Sequence, residues 1–268
     1  MMKKLSVVAF IFIIACNSTK QINSSNPKLP ENIAINGKLF TALYQQQSAD
    51  YRALCYQAYN LARYRLDEEL QTKSLKPRAI ITDIDETLLD NSAYEIHQTL
   101  QGKDYDAASW YQWTDMSAAD TIAGANSFLK YAASKGVEIF YVTNRDERER
   151  KSTLLNLQKF NFPNADNEHL YVKLTTSSKE QRRKDIEATH NVVLLLGDNL
   201  ADHSAMFDKK SLEERMNNTN KLAGEFGKRF IVIPNPIYGD WEPAYYKYNY
   251  SLSAAQKDSI IKRLAKPY

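Results

Sequence analysis

Five short aliphatic and β-branched runs, each followed by a helix-like stretch, constrain this chain more than any other feature: 79–82, 137–142, 170–172, 192–196 and 230–233. Strand runs alternating with helical spacing predict a parallel sheet covered by helices on both faces, an α/β fold of Rossmann-like type. The runs carry no polar alternation, which fits strands buried on both sides. Three of them lead directly into polar residues: Asp83, Thr143 and the pair Gly197-Asp198. Ligands in such sheets bind beyond the carboxyl ends of the strands, so these residues are expected to converge. The chain's 268 residues, 43% of them apolar, suffice for one main core plus a smaller, mainly α-helical accessory domain.

The sequence divides into four segments. Residues 1–16 read as a lipoprotein signal peptide: Lys3 and Lys4 precede an apolar run ending at Ala15, and Ile13-Ile14-Ala15-Cys16 resembles the bacterial lipobox. A membrane-spanning helix needs roughly 20 apolar residues, about twice what this run has. Acylation of Cys16 would then anchor the protein outside the cytoplasm of a bacterium, and Asn17 after it is compatible with the outer membrane. Residues 17–32, rich in Asn, Ser, Lys and Gln, read as a tether. Residues 33–76 are helical in pattern and are expected to pack with the accessory domain. Residues 77–268 form the main domain, with a cap-like insertion at about 92–120. Cys55, at helical spacing with Tyr51, Leu54 and Ala58, is expected to be a core thiol. Lys and Arg number 35 against 32 Asp and Glu, spread without a basic tract, so charge offers no reason to expect a nucleic-acid polymer as partner.

The chemistry-bearing residues lie at the strand ends. Asp83 and Asp85 flank Ile84, so the turn after the first strand can aim both carboxylates into one crevice. A carboxylate can attack phosphorus and form an aspartyl-phosphate, while a second carboxyl protonates the leaving alkoxide and then deprotonates water. Thr143-Asn144-Arg145 offers a hydroxyl, backbone N–H groups and a guanidinium to phosphoryl oxygens. Lys179, at the start of a helix in Ser177-Ser178-Lys179, would offset the charge of nucleophile and phosphoryl group, with Lys173 as a competitor for that role. Asp198 presents a hard oxygen ligand after Gly197. The four histidines show no metal-ligand spacing.

These four motifs occur in the order found in the haloacid dehalogenase (HAD) superfamily. The longer stretches around Asp83–Ser92, Tyr141–Arg145, Gly197–Asn199 and Pro234–Glu242 resemble the class C acid phosphatases, a lipoprotein 5′-nucleotidase family. The resemblance implies a HAD fold and an acid phosphatase acting on phosphate monoesters, including nucleoside 5′-monophosphates. It implies Asp83 as nucleophile and magnesium ligand, and Asp85 as acid/base that gives its backbone carbonyl to the metal. Asp198 is the third protein ligand, supported by Asp202 and Asn199, and Thr143 and Lys179 hold the phosphoryl group. Manganese suits the same ligands. Trp110 and Tyr238 match positions that stack on an aromatic leaving group, whereas Trp113 is expected in the core and the tyrosine-rich tail after Tyr245 at a domain edge. Two alternatives remain open: phosphotransfer to an acceptor alcohol through the same intermediate, and a non-catalytic ligand-binding surface lipoprotein. The oligomeric state is open as well, a homodimer being compatible with the sequence.

Overall fold

The computed structural model describes residues 32–268. The signal, the lipobox with Cys16 and all but the last residue of the tether lie outside the described residues. The five strand runs form one parallel sheet: β1 (Arg78–Thr82), β4 (Glu138–Asp146), β5 (Leu170–Lys173), β6 (Asn191–Gly197) and β7 (Phe230–Val232), in the order β5-β4-β1-β6-β7. A two-residue antiparallel ribbon, β2 (Leu89–Asp90) with β3 (Asp120–Thr121), was not expected, because two residues carry no readable alternation. The chain builds outward from β1 to β4 and β5 on one side, then returns to add β6 and β7 on the other. The strand order thus reverses between β1 and β6, which is where an open α/β sheet leaves a crevice.

Strand pleating sends alternate side chains to two separate cores. Ile80, Ile139, Tyr141, Leu194 and Leu196 face one cluster, whereas Ala79, Ile81, Phe140, Val142 and Leu195 face the other. The first cluster is covered by α2 (Ala49–Leu70) and α5 (Ala125–Ser134), and the second includes Ile186 of α7 (Glu180–Thr189). A register shift between β1 and β6 pairs Ala79 with Val192 and Ile80 with Leu194, so Val193 joins the first cluster beside Leu194.

The two helices of segment 33–76 pack in different places. Ser48 ends α1 (Ile33–Gln47) and caps α2, its Oγ accepting from the Asp50 and Tyr51 amides at 3.1 and 3.4 Å. Beyond that corner α2 enters the main core through Tyr51, Cys55, Tyr59, Ala62 and Leu66. Cys55 is a buried free thiol whose pKa burial pushes up to about 11. By contrast, α1 packs on α3 (Ser92–Leu100), and its first amide is held by Asp258 of α11 (Ala254–Leu264). The region 92–120 holds α3, α4 (Ala107–Asp115) and β3. The remaining helices are α6 (Arg150–Lys159), α8 (Leu200–His203), α9 (Leu212–Lys221) and α10 (Trp241–Tyr245). No helix among the described residues is long and apolar enough to cross a membrane.

Because Leu66 is fully buried on α2 against the sheet, Leu66→Ala should cost about 2–5 kcal/mol of unfolding free energy, read from a denaturant titration. A cost near zero would mean that α2 lies outside the cooperative core.

Candidate active site

The site is assembled by strand ends on either side of the β1/β6 reversal. The chain leaves β1 with the Asp83 amide still donating to Leu196 O at 2.9 Å, which fixes Asp83 next to the end of β6. Glu86 then takes a left-handed conformation (φ 55°) and its amide donates to Leu89 O at 2.8 Å, closing the turn. At the end of β6, Gly197 lets Asp202 approach the strand: a Cβ there would lie 2.4 Å from the Asp202 Cβ. One carboxylate oxygen from each of Asp83, Asp198 and Asp202 fits within a mutual distance of 4.8 Å.

Lys179, one residue before α7, is buried and ion-pairs with both Asp83 Oδ1 and Asp202 Oδ1, the latter at 2.6 Å. Although burial opposes its charge, Asp202 and Asp83 hold its ammonium above the ordinary value. Burial pushes the Asp83 carboxyl up to about 7; Lys179 pulls the other way, and Asp202 and Asp85 add to the rise. Asp198 is raised by burial too, and by the charges of Asp202 and Asp83, although Asn199 and Asn235 donate to its Oδ2 at 2.7 and 2.8 Å. Three clustered carboxylates thus face one ammonium, a surplus of two negative charges if all are ionised. Hard oxygens at this spacing, with charge to spare, fit a divalent cation such as Mg²⁺. Thr87 Oγ1 donates to Asp198 Oδ1 at 3.3 Å and lies 3.5 Å from Asp83 Oδ2, tying the two strand ends together.

Asp85 is held apart from that cluster. Arg145 reaches it through Nε at 3.1 Å to both oxygens and through Nη2 at 2.7 Å, and Asn91 Nδ2 donates at 2.9 Å. A forked guanidinium pair of this kind fixes a carboxylate in orientation as well as position. Arg145, expected to hold substrate, lines the cavity with its guanidinium engaged by Asp85 and Thr153. Thr143 is fully buried inside β4, its Oγ1 accepting from the Arg145 amide at 3.1 Å, while Asn144 lies exposed on the cavity wall with its Oδ1 accepting from Arg182 at 3.0 Å. Lys173 closes β5 and does not line the cavity, whereas Lys179 does.

A cavity of about 600 Å³ opens over these residues. Trp110 and Tyr238 both line it, each anchored by its polar atom: Trp110 Nε1 donates to Glu149 at 2.9 Å, and the Tyr238 hydroxyl donates to Glu86. Trp113, expected in the core, packs against it and donates to Asn91 Oδ1 at 2.8 Å. In the tyrosine-rich tail, expected at a domain edge, Tyr246, Tyr248 and Tyr250 line the cavity. Sequence reasoning assigned no role to Glu86, Asn91 or Asn235. Glu86 is fully buried, its carboxyl raised well above the ordinary range first by burial and then by Asp85, and it accepts from the Asn91 amide at 2.8 Å. Asn91 and Asn235 lay inside the quoted motifs, so motif membership was the only available signal.

Residues 13–241 match the family model for the HAD superfamily, subfamily IIIB (acid phosphatase), and the chain belongs to that family. It is similar to the class C acid phosphatase from Bacillus anthracis, at 38% identity over 88% of this chain and 99% of that one, with a TM-score of 0.85. A second structure of that enzyme, with tungstate bound, matches equally well. Acid phosphatase 1 of Solanum lycopersicum is 24% identical over 170 residues, 59% of this chain. The chain spans 57% of the length of that curated relative.

Gly197→Ala should force Asp202, and with it Lys179, out of position. Overpacking of this kind costs about 1–3 kcal/mol, so the melting temperature should fall by several degrees. An unchanged melting curve would show that Asp202 can withdraw freely.

Proposed function

We propose that this HAD subfamily IIIB chain hydrolyses phosphate monoesters, nucleoside 5′-monophosphates among them, with Asp83 as nucleophile and a divalent cation, magnesium by preference, bound beside it. The observation that carries the reading is Asp83 itself: a buried carboxylate at the topological switch, paired with Lys179 and separated by one residue from a second, independently held carboxylate. In the first step an Asp83 carboxylate oxygen forms a bond to phosphorus, the ester P–O bond breaks, and the leaving alkoxide takes a proton from Asp85. Water then attacks phosphorus, Asp85 takes its proton, and the Asp83–phosphorus linkage breaks to release phosphate.

Lys179 lowers the repulsion between the incoming phosphoryl group and the carboxylates, and Arg145 with Asn91 keeps Asp85 aimed at the travelling proton. Asp83, Asp198 and the Asp85 carbonyl are the groups assigned to the cation, with Asp202 and Asn199 supporting them. When bound, the cation neutralises the carboxylate surplus and the charge on the phosphoryl oxygens. The nucleotide reading is supported by the size of the cavity and by Trp110 and Tyr238 on its wall. The lipid anchor on Cys16 and an extracytoplasmic, outer-membrane location belong to the same proposal; labelling with a radioactive fatty acid should mark the natural chain and leave Cys16→Ser unlabelled.

Asp83→Asn should abolish phosphate release, by 10³-fold or more, while the circular dichroism spectrum and melting curve remain those of a folded protein. Phosphate release by a clean preparation of that variant would overturn the assigned nucleophile. Adding Mg²⁺ should raise the melting temperature and chelation should lower it and silence turnover. Turnover indifferent to chelator would remove the cation from the account.

A further inference from the structure

The cavity over the strand ends extends to a second group of charges that the chemistry above does not use. Its wall is formed by α1, α3, the loop after α3, α10 and α11, which bring Lys38, Glu95, Asp104, Glu242 and Lys257 together. Lys38 pairs with Asp104 at 2.7 Å and Glu242 at 3.2 Å, and Lys257 pairs with Asp104 at 2.9 Å. Both ammoniums are therefore engaged by Asp104 and Glu242. Glu95 remains: it is 4% exposed, lines the cavity, and its carboxylate receives no hydrogen bond among the described residues. Lys38 acts on it through charge alone.

Three carboxylates against two ammoniums leave this end of the cavity with one surplus negative charge when Glu95 is ionised. A buried carboxylate without a donor is costly, and the cost is recovered when a ligand supplies one. Tyr105, Trp110 and Tyr246 line the same cavity, so the group presented to Glu95 arrives on a flat, partly apolar body. We propose that Glu95 is a specificity-determining residue that accepts a hydrogen bond from an amino group on the leaving group of the phosphate ester, selecting amino-bearing bases over their oxo counterparts. This inference rests on the phosphomonoesterase reading above.

The state of Glu95 gives the selection a pH signature. Burial pushes its carboxyl up to about 7; Lys38 on α1 opposes the shift, and Asp104 in the loop after α3 and Glu242 on α10 add to it, with Lys257 of α11 reaching it only by way of Asp104. Above that pH Glu95 only accepts and favours an amino group. Below it the protonated acid also donates, and can serve a carbonyl.

The test compares kcat/KM for cytidine and uridine 5′-monophosphates, which differ at ring position 4 by an amino group against an oxo group and, with it, at N3 by a bare acceptor against an N–H. Taking their ratio cancels every ionisation that belongs to the shared chemistry. The natural protein should prefer the cytidine ester by roughly tenfold or more at pH 8, and the preference should shrink as pH falls through about 7. Glu95→Gln, verified as folded by its melting curve, should bring the ratio near one at every pH, because a carboxamide both donates and accepts. A natural-protein ratio near one throughout, or a preference unchanged in Glu95→Gln, overturns the proposal, as does failure to cleave either nucleotide while p-nitrophenyl phosphate is hydrolysed. If Glu95→Gln does not fold, the pH dependence of the natural protein's ratio decides alone. Absence of hydrolysis of any ester would instead refute the phosphomonoesterase reading.

Discussion

Negative charge concentrated in a poorly hydrated crevice is the constraint around which this molecule is organised. Asp83, Asp198 and Asp202 approach one another because β1 and β6 are neighbours in the sheet and each ends on a carboxylate. One ammonium, that of Lys179, cannot neutralise all three. The hydroxyl of Thr87 and the amides of Asn199 and Asn235 are donors spent on the same problem. Such an arrangement is unfavourable for folding in isolation and would become favourable with a divalent cation bound to balance it. Stability and catalysis therefore make opposite demands on the same few atoms, and the buried sheet with its two cores supplies the stability that the site withholds.

The fold separates chemistry from recognition. The groups proposed to contact the reacting atoms come from strand ends of the parallel sheet and, for Lys179, from the start of α7. The cavity wall comes from α1, α3, α4, α10 and the segment leading into α11, joined by charge pairs and aromatic edges such as Tyr94 against Trp110 at 5.1 Å. The Lys38 pairs with Asp104 and Glu242 link α1 to the loop after α3 and to α10, three distant parts of the chain.

Much of this was legible in the sequence, for a physical reason. Strands buried on both faces must be continuously apolar, so all five runs of the main sheet could be read, and a strand that ends on Asp or Thr announces a polar site at the sheet's carboxyl edge. Asp83 and Asp198 were found in that way and Lys179 from the helix start at Ser177-Ser178-Lys179, and the structure brings all three together with Asp202. The partners of those residues were not legible, because pairing depends on distance in space. Nothing local in Arg145 states that its guanidinium serves Asp85, 60 positions earlier. Glu86 looks like an ordinary turn residue until its burial beneath Tyr238 and Asn91 is seen. The tail tyrosines line the cavity because the C-terminal segment folds back over α1. Glu95 sits on a helix whose pattern gives no sign that its one carboxylate faces a cavity.

The central claim is that phosphorus is bonded to Asp83 during turnover. Its most direct test is to mix enzyme with a phosphate monoester and a divalent cation, quench with acid within milliseconds, and map the phosphorylated peptide by mass spectrometry. The account predicts a transient acyl phosphate on Asp83, appearing before free phosphate and decaying as it is released. Phosphate on another residue, or product formed with no phosphorylated enzyme at any time, would contradict it.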